Sequence, residues 1–275
     1  MELLFPVVQG FSFACYLVSS LFYISGFLGE APKKHSLASY FLLAGVLLQL
    51  SLLFLLAGAA SALPLRTVRE ALLVASVFIG CSYFLFERTT GEKTVGPFIV
   101  PFPAILSLFS LILYFFPRPQ MEPDLVFKSA WFQVHVLLTL LSYAAFAFAF
   151  STGLMYFMLS REIAMKRMGK VFVRLPSLDS LDHIGYRAVS IGFPLLTLGV
   201  VAGGLWADRV WGSFFRMEIK EVWTFATWII YAAYLHSRLA AGWQGRRAAF
   251  LSIVGFLACM LSFVGGSLLP GRHSF

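Results

Sequence analysis

Long apolar stretches alternate with short polar connections along the whole chain, and this pattern predicts membrane-spanning helices. A helix that crosses the hydrocarbon core of a bilayer needs about 20 largely apolar residues. Eight stretches reach or nearly reach this length, at residues 5–28, 38–58, 70–86, 98–116, 131–159, 188–206, 221–240 and 248–269. Helices are expected because backbone polar groups cannot be left unpaired in lipid. The pattern therefore predicts an all-α, polytopic integral membrane bundle with about eight transmembrane helices.

A proline-containing connection separates the fourth span from the fifth. Pro117, Pro119 and Pro123 all fall between these spans, and proline interrupts helices. The sequence therefore predicts two four-span halves, at residues 1–120 and 121–275, within one integral membrane domain. The polar connection at residues 161–187 is too short for a further domain and is expected to form a cytoplasmic loop with some amphipathic helix.

Composition excludes a soluble enzyme and a disordered chain. Of the 275 residues, 59% are hydrophobic and 12% are charged, whereas soluble domains have about 45–50% and about 25%. Thirteen of the 21 Lys and Arg residues fall in one set of connections. This richer set is expected to be cytoplasmic, which places both termini outside. The net charge of +8 is assigned to these loops, and no nucleic-acid partner is predicted.

Three of the five histidines occupy informative positions. His135 lies one turn inside the outer end of the fifth span, and His273 follows the last span at the same outer face. His236 lies toward the cytoplasmic end of the seventh span. The residues that share a small or polar helix face with His135 are Thr139, Ser142, Phe146, Ala149 and Gly153. This face is therefore expected to point into the bundle.

Ionisable groups inside membrane segments are costly and are functional candidates. Any one histidine could equally be a hydrogen-bonded packing residue, but His135 and His273 at one face suggest a two-ligand site. Neutral imidazole binds zinc, copper or haem iron. Zinc normally requires further protein ligands, whereas haem supplies four nitrogens of its own. The two histidines therefore favour haem.

Four of the six tryptophans lie in or just after the outer connection between the sixth and seventh spans. They are Trp206, Trp211, Trp223 and Trp228. Composition alone favours an aromatic belt at the membrane interface. The alternative is an apolar platform for a flat ligand, in the same layer as His135 and His273. Arg209, Arg216 and Lys220 could pair with ligand carboxylates such as haem propionates, or with lipid phosphates.

Several short motifs of the C-terminal half follow one known pattern. They lie at residues 134–136, 141–144, 181–182, 186–187, 191–197, 206–207, 211–212, 220–223, 234–236 and 271–275. Together they resemble the cytochrome c assembly proteins of the CcsA/ResC type, which handle haem through a tryptophan-rich segment. Val134-His135-Val136 and Gly271-Arg272-His273-Ser274-Phe275 are similar to the two outer histidine motifs of that family. Residues 1–120 resemble the family in hydropathy alone.

The resemblance implies a protein that binds non-covalent haem b. His135 and His273 would bind the iron at the outer face, and His236 would be an intramembrane haem ligand. The implied surroundings of the porphyrin are Trp206, Trp211, Trp223, Phe214, Phe215, Arg216 and Lys220. No catalytic residue is assigned.

The function implied by the resemblance is cytochrome c biogenesis in a bacterial inner membrane. The chain would take haem from the cytoplasmic side and present it outside for attachment to apocytochrome c. Any enzymatic role would belong to a holocytochrome c synthase formed with a CcsB/ResB-type partner.

The tryptophan segment departs from the family pattern, Trp-Gly-x-Tyr-Trp-x-Trp-Asp-Pro-Lys-Glu. Here Phe214 replaces Tyr, Phe215 and Met217 replace two Trp residues, and Glu218-Ile219 replaces Asp-Pro. A second hypothesis is therefore a HemX-like regulator of haem synthesis that acts on glutamyl-tRNA reductase. A third is a small-solute transporter whose histidines relay protons.

Overall fold

The chain divides into two compact units, Met1–Met121 and Glu122–Phe275. The computed structural model describes residues 4–29, 32–60, 63–116, 129–166 and 169–268. Within these ranges the regular secondary structure is helical and includes no strand. The predicted all-α class is therefore confirmed.

The described part of the N-terminal unit contains five helices. They are α1 (Leu4–Leu28), α2 (Pro32–Ala60), α3 (Val68–Thr90), α4 (Gly96–Ile99) and α5 (Pro101–Phe115). The Thr67 hydroxyl caps α3 by accepting a hydrogen bond from the Glu70 amide at 3.2 Å. Gly91 caps the end of α3, with a φ of 73° in the left-handed region that glycine tolerates.

Side-chain amides and hydroxyls form a hydrogen-bonded network inside the N-terminal unit. Gln49 Oε1 accepts hydrogen bonds from Tyr16 Oη and from Ser76 Oγ, both at 2.9 Å. Gln49 Nε2 donates to Ser107 Oγ at 3.2 Å, and Gln9 Nε2 donates to the Ser107 carbonyl at 2.9 Å. Hydrocarbon offers these groups no other partners, so their mutual pairing fixes how α1, α2, α3 and α5 pack.

The described part of the C-terminal unit also contains five helices. They are α6 (Ala130–Ala164), α7 (Lys170–Arg174), α8 (Leu178–Trp211), α9 (Ile219–Ala241) and α10 (Arg246–Leu268). α6 and α8 have 35 and 34 residues. At 1.5 Å per residue each is about 50 Å long, which exceeds the hydrocarbon thickness of about 30 Å. α8 begins inside the predicted polar connection because Ser177 caps its first turn, accepting from the Ser180 amide at 3.2 Å.

Glycines on one face of α8 allow α6 to approach closely. Gly185, Gly192 and Gly199 are spaced by seven residues, which keeps them on the same side of a helix. An added Cβ at Gly192 would lie 2.6 Å from the Phe146 ring, and one at Gly185 would lie 2.9 Å from Thr152 Oγ1. Small residues are typical of membrane helix interfaces, where association depends on van der Waals packing.

Seven stretches of the described residues are long and apolar enough to cross a membrane. They are Leu4–Leu28, His35–Ala59, Val68–Thr90, Gly96–Phe115, Ala130–Ala164, Leu178–Trp211 and Arg246–Phe263. Each corresponds to one of the eight predicted spans. The other predicted span, residues 221–240, is helical within α9 but does not meet the same measure of length and composition. The chain is a multi-pass helical membrane protein.

The α6–α8 contact predicts a specific effect of enlarging Gly192. Phe146 is fully buried and stacks on Tyr231 with ring centroids 3.7 Å apart, so it has no room to withdraw. We expect Gly192→Ala to destabilise the protein by about 1–3 kcal/mol, as overpacked cores do. Thermal unfolding in detergent would measure the change.

Gly58→Ala is the matched control, because an added Cβ at this helical glycine meets no atom within 4 Å. Alanine should be neutral or slightly stabilising there, since it favours helix more than glycine does. Equal stability of the Gly192→Ala and Gly58→Ala variants would contradict the packing described.

Candidate functional site

His135 lies in the second turn of α6, against the glycine face of α8. Its Nδ1 donates a hydrogen bond to the carbonyl oxygen of Gly199 at 2.6 Å. An added Cβ at Gly203 would lie 2.5 Å from the same nitrogen, so the imidazole fills the space that a side chain would need. The other members of the predicted interior face, Thr139, Ser142, Phe146, Ala149 and Gly153, are buried as expected.

The hydrogen bond to Gly199 determines which nitrogen of His135 carries a proton. A carbonyl oxygen can only accept, so Nδ1 is protonated, and Nε2 of the neutral imidazole keeps its lone pair. Nε2 makes no hydrogen bond to any residue that the structure describes. Metal-binding histidines typically donate their other N–H to a carbonyl or carboxylate in this way. The imidazole is therefore oriented as a metal ligand would be.

Tryptophans at the end of α8 pack beside the start of α6. Trp206 is buried, and its ring centroid lies 4.9 Å from that of Phe132 and 4.8 Å from that of Trp211. Arg209, one turn further along α8 from Trp206, places its guanidinium 5.3 Å from the centre of the Trp131 ring. The tryptophan segment and the start of α6 therefore occupy the same end of the C-terminal unit.

Phe214 adds an exposed aromatic ring at the same level of α8 as His135. Its ring lies directly against Gly204, in space that an added Cβ would occupy. The side chain is nevertheless 47% exposed. Because Gly203 contacts His135 and Gly204 contacts Phe214, the imidazole and the phenyl ring rest on consecutive residues of α8.

A charged cluster links the tryptophan segment to α9. The Arg216 guanidinium lies 3.9 Å from the centre of the Trp211 ring, and its Nη2 pairs with Glu218 Oε1 at 3.0 Å. Glu218 and Glu221 cap the first turn of α9 reciprocally. Glu221 Oε2 also accepts from the Arg216 amide at 2.7 Å. Glu218 thus keeps an acid where the family pattern has Asp and fixes the start of α9.

Lys220 brings a positive charge to the same end of the unit. Burial lowers the pKa of Lys220 to about 8, and Glu218 offsets part of this effect. Lys220 is close enough to His135 for its charge to act on the imidazole. An imidazole and a partly desolvated cation therefore share this region, where electrostatic interactions are stronger than in water.

Phe215 and Trp223 lie on either side of the start of α9, whereas His236 lies toward its other end. Phe215 is 43% exposed and faces Phe225, with ring centroids 6.3 Å apart. Trp223 is 38% exposed. His236 is exposed and lies about 24 Å along α9 from Lys220. The predicted ligand His273 lies outside the described residues.

An ion pair near the far end of α9 fixes the orientation of that helix. Arg238 binds Asp182 of α8 through two bonds, Nη1 to Oδ1 at 2.9 Å and Nη2 to Oδ2 at 2.7 Å. The Gly245 amide donates to the same carboxylate at 2.8 Å, and Tyr186 stacks on the guanidinium at 4.5 Å. Because Arg238 lies two residues after His236, this pair holds α9 in the rotation that leaves His236 exposed.

Gly199 and Gly203 are site residues that the sequence analysis does not single out. Their Gly-x-x-x-Gly spacing is a known signal for close packing of membrane helices. The spacing alone does not say which residue packs against them. That partner, His135, is 64 positions away in the sequence.

The fold and site define a class of multi-pass helical membrane proteins with a histidine and an aromatic segment at one end. The sequence pattern of the family described as "Cytochrome C assembly protein" matches residues 40–273. The chain belongs to this family, and the resemblance stated above is confirmed.

Curated relatives carry the name cytochrome c biogenesis protein CcsA. The protein from Synechococcus elongatus is 28% identical over 257 residues, which cover 77% of this chain and 78% of the relative. The protein from Trieres chinensis is 29% identical over 257 residues, with 82% of both chains covered. The protein from Guillardia theta is 29% identical over 229 residues, covering 77% of this chain and 76% of the relative.

Two neighbouring glycines allow a direct test of how His135 is held. Gly203→Ala should displace the imidazole and break its bond to Gly199, whereas Gly204→Ala should displace only the exposed ring of Phe214. Nitrogen-15 NMR of histidine-labelled protein should show the Nδ1-protonated tautomer of His135 in wild type and in Gly204→Ala, but not in Gly203→Ala. The same His135 signal in all three proteins would contradict the geometry.

Lys220 predicts a pH dependence of stability. Its folded-state pKa of about 8 lies below the ordinary value of 10.5. Below about pH 8 the lysine is charged in both states, and burial of that charge destabilises the fold. Between these two pKa values the unfolded chain binds more protons than the folded chain. The destabilisation caused by burying the charged lysine therefore decreases as the pH rises.

We therefore expect Lys220→Met to raise thermal stability near neutral pH, with a benefit that shrinks as the pH increases above about 8. The exposed Lys166 serves as the control, because Lys166→Met should show no such trend. Thermal unfolding across this pH range measures both variants. A benefit of Lys220→Met that does not vary with pH would refute the assignment.

Proposed function

We propose that this chain acts in cytochrome c maturation by holding haem at the extracytoplasmic face, with His135 as an axial ligand. The observation that carries the proposal is the hydrogen bond from His135 to Gly199, which presents Nε2 for binding iron. Membership of the cytochrome c assembly family supports a role in cytochrome c maturation. The CcsA relatives favour maturation over control of haem synthesis.

The donor set suits haem better than a bare metal ion. Among the residues that the structure describes, no group of three or more His, Cys, Asp or Glu is placed to hold a metal ion. Haem brings four equatorial nitrogens, so one or two imidazoles complete its coordination. We assign the role of second haem ligand at the outer face to His273, because its sequence motif matches that of the family.

Aromatic side chains near His135 provide the apolar surface that a porphyrin requires. We assign this role to Trp206, Trp211, Phe214, Phe215 and Trp223. Arg216 and Lys220 are the proposed partners of the haem propionates. Because Arg216 is paired with Glu218 at 3.0 Å, a propionate would take the place of Glu218 on this guanidinium.

His236 is proposed as a second, intramembrane haem ligand on the cytoplasmic side. It lies on an exposed side of α9, near Leu239, which is 74% exposed. An imidazole at such a surface can bind one face of a haem and leave the other face to a ligand from another protein. We assign that ligand to a CcsB/ResB-type membrane partner.

Haem is the cargo in this scheme, and apocytochrome c is its recipient. The cysteine thiols of the apoprotein would add across the vinyl groups of the haem, each thiol proton going to the vinyl group. The chain's own contribution is axial ligation and orientation of the porphyrin. We place it in the bacterial inner membrane with both termini outside.

Absorption spectra of the purified full-length protein, produced with ample haem, test the proposal. We expect a Soret band from bound haem in wild type. His135→Ala should lose the outer-site haem, and added imidazole should restore its spectrum by replacing the missing ligand. His183→Ala is the control, because His183 is exposed near the start of α8.

Wild-type protein without haem under these conditions would overturn the proposal. A spectrum that survives the His135→Ala and His273→Ala double substitution but is lost in His236→Ala would place the haem at the cytoplasmic side instead. Loss of haem in the His183→Ala control would show that the spectra report folding and not ligation.

A further inference from the structure

A buried carboxylate lies in the N-terminal unit, which contributes no residue to the proposed haem site. Glu87 belongs to α3 and is 5% exposed, within the apolar stretch Val68–Thr90. A charged side chain at such a position is costly unless polar groups surround it, and buried acids in membrane helices often bind ions or protons. Neither the haem proposal nor the family motifs give this residue a role.

Three helices and a loop meet at the Glu87 carboxylate. Tyr23 of α1 donates its hydroxyl to Oε2, and Ser39 of α2 donates its hydroxyl to Oε1. Lys93, in the loop after α3, places Nζ 3.9 Å from Oε1. The Lys93 side chain is 37% exposed, so it connects the buried carboxylate to the surface of the unit.

The Tyr23 and Ser39 hydroxyl groups together have more acceptors than they have protons. Besides its contact with Glu87, Ser39 Oγ lies 3.0 Å from the His35 carbonyl and 3.2 Å from Tyr23 Oη. When Glu87 is ionised, both hydroxyl protons point to the carboxylate. No proton is then available for a hydrogen bond between Ser39 Oγ and the His35 carbonyl, or between Ser39 Oγ and Tyr23 Oη.

A third proton fits this network without movement of any heavy atom. A carboxyl proton on Oε1 of Glu87 can be donated to Ser39 Oγ, which releases the Ser39 hydroxyl to donate to the His35 carbonyl. Tyr23 continues to donate to Oε2. Each proton then has an acceptor, so the arrangement satisfies both the ionised and the neutral carboxyl group.

The titratable groups that face Glu87 come from α1, α2, α3 and the loop after α3. α1 contributes Tyr23, whose ring lies 5.5 Å from that of Tyr83 and 6.1 Å from that of His35 on α2. α3 contributes Tyr83, whose hydroxyl also interacts with Glu87 and Tyr23. The loop contributes Lys93, and α4 has no titratable side chain.

We propose that Glu87 is a reversible proton-binding site of the N-terminal unit, reached from solution beside Lys93 and shared with Tyr23 and Ser39. The carboxylate takes up one proton and the unit gains one positive charge. The hydrogen bonds that join α1, α2 and α3 persist in both forms. This inference does not depend on whether the chain binds haem.

Infrared difference spectroscopy of the full-length protein in lipid vesicles, recorded between high and low pH, tests the proposal. We expect a protonated-carboxyl band from a buried group to appear at low pH and to shift in heavy water. The band should be lost in Glu87→Gln and retained in Glu92→Gln, since Glu92 is an exposed acid of the same loop.

A second variant tests the role of Lys93 without altering the buried groups. Lys93→Gln removes the nearby cation, so the band should appear at a higher pH than in wild type. Absence of the band in wild type, its survival in Glu87→Gln, or an unchanged onset in Lys93→Gln would each overturn the proposal. If Glu87→Gln does not fold, the wild-type band and the Lys93→Gln onset still decide the matter.

Discussion

The close approach of α6 and α8 is the constraint on which the C-terminal unit depends. Lipid provides no hydrophobic drive for helix association, so the two helices are held by direct contact between their surfaces. Gly185, Gly192 and Gly199 make that contact possible at successive levels. Near Gly199 the same closeness lets His135 reach the backbone of α8. The orientation of the proposed haem ligand is therefore a consequence of helix packing.

The two units satisfy their buried polar groups in different ways. The N-terminal unit pairs side chains with one another, through the amide network around Gln49 and the carboxylate cluster around Glu87. The C-terminal unit keeps its charged groups near its ends, where Arg216 pairs with Glu218 and Arg238 pairs with Asp182. The centre of α6 is left to small and aromatic side chains. This division separates the end that carries the proposed haem ligand from the rest of the unit.

Sequence patterns predict the helices well because lipid imposes a simple rule on length and hydropathy. They allow for some helix in the polar connection at residues 161–187 but do not give the start of α8, where a cap at Ser177 extends the helix into that connection. Helical periodicity predicts that the residues on the same face of α6 as His135 point into the bundle, and their burial confirms this. The bond to Gly199, the pairing of Arg216 with Glu218 and the hydroxyls around Glu87 join residues on different elements, so helical periodicity does not predict them. The roles of the candidate ligands stay predictions.

The position of the iron tests the central claim most directly. A cryo-electron microscopy map of the haem-loaded full-length protein should show the iron bound to Nε2 of His135. Nδ1 should remain hydrogen-bonded to the Gly199 carbonyl, and His273 should lie on the opposite face of the porphyrin. An iron located away from His135 would contradict the account, as would an imidazole turned so that Nδ1 no longer donates to the Gly199 carbonyl.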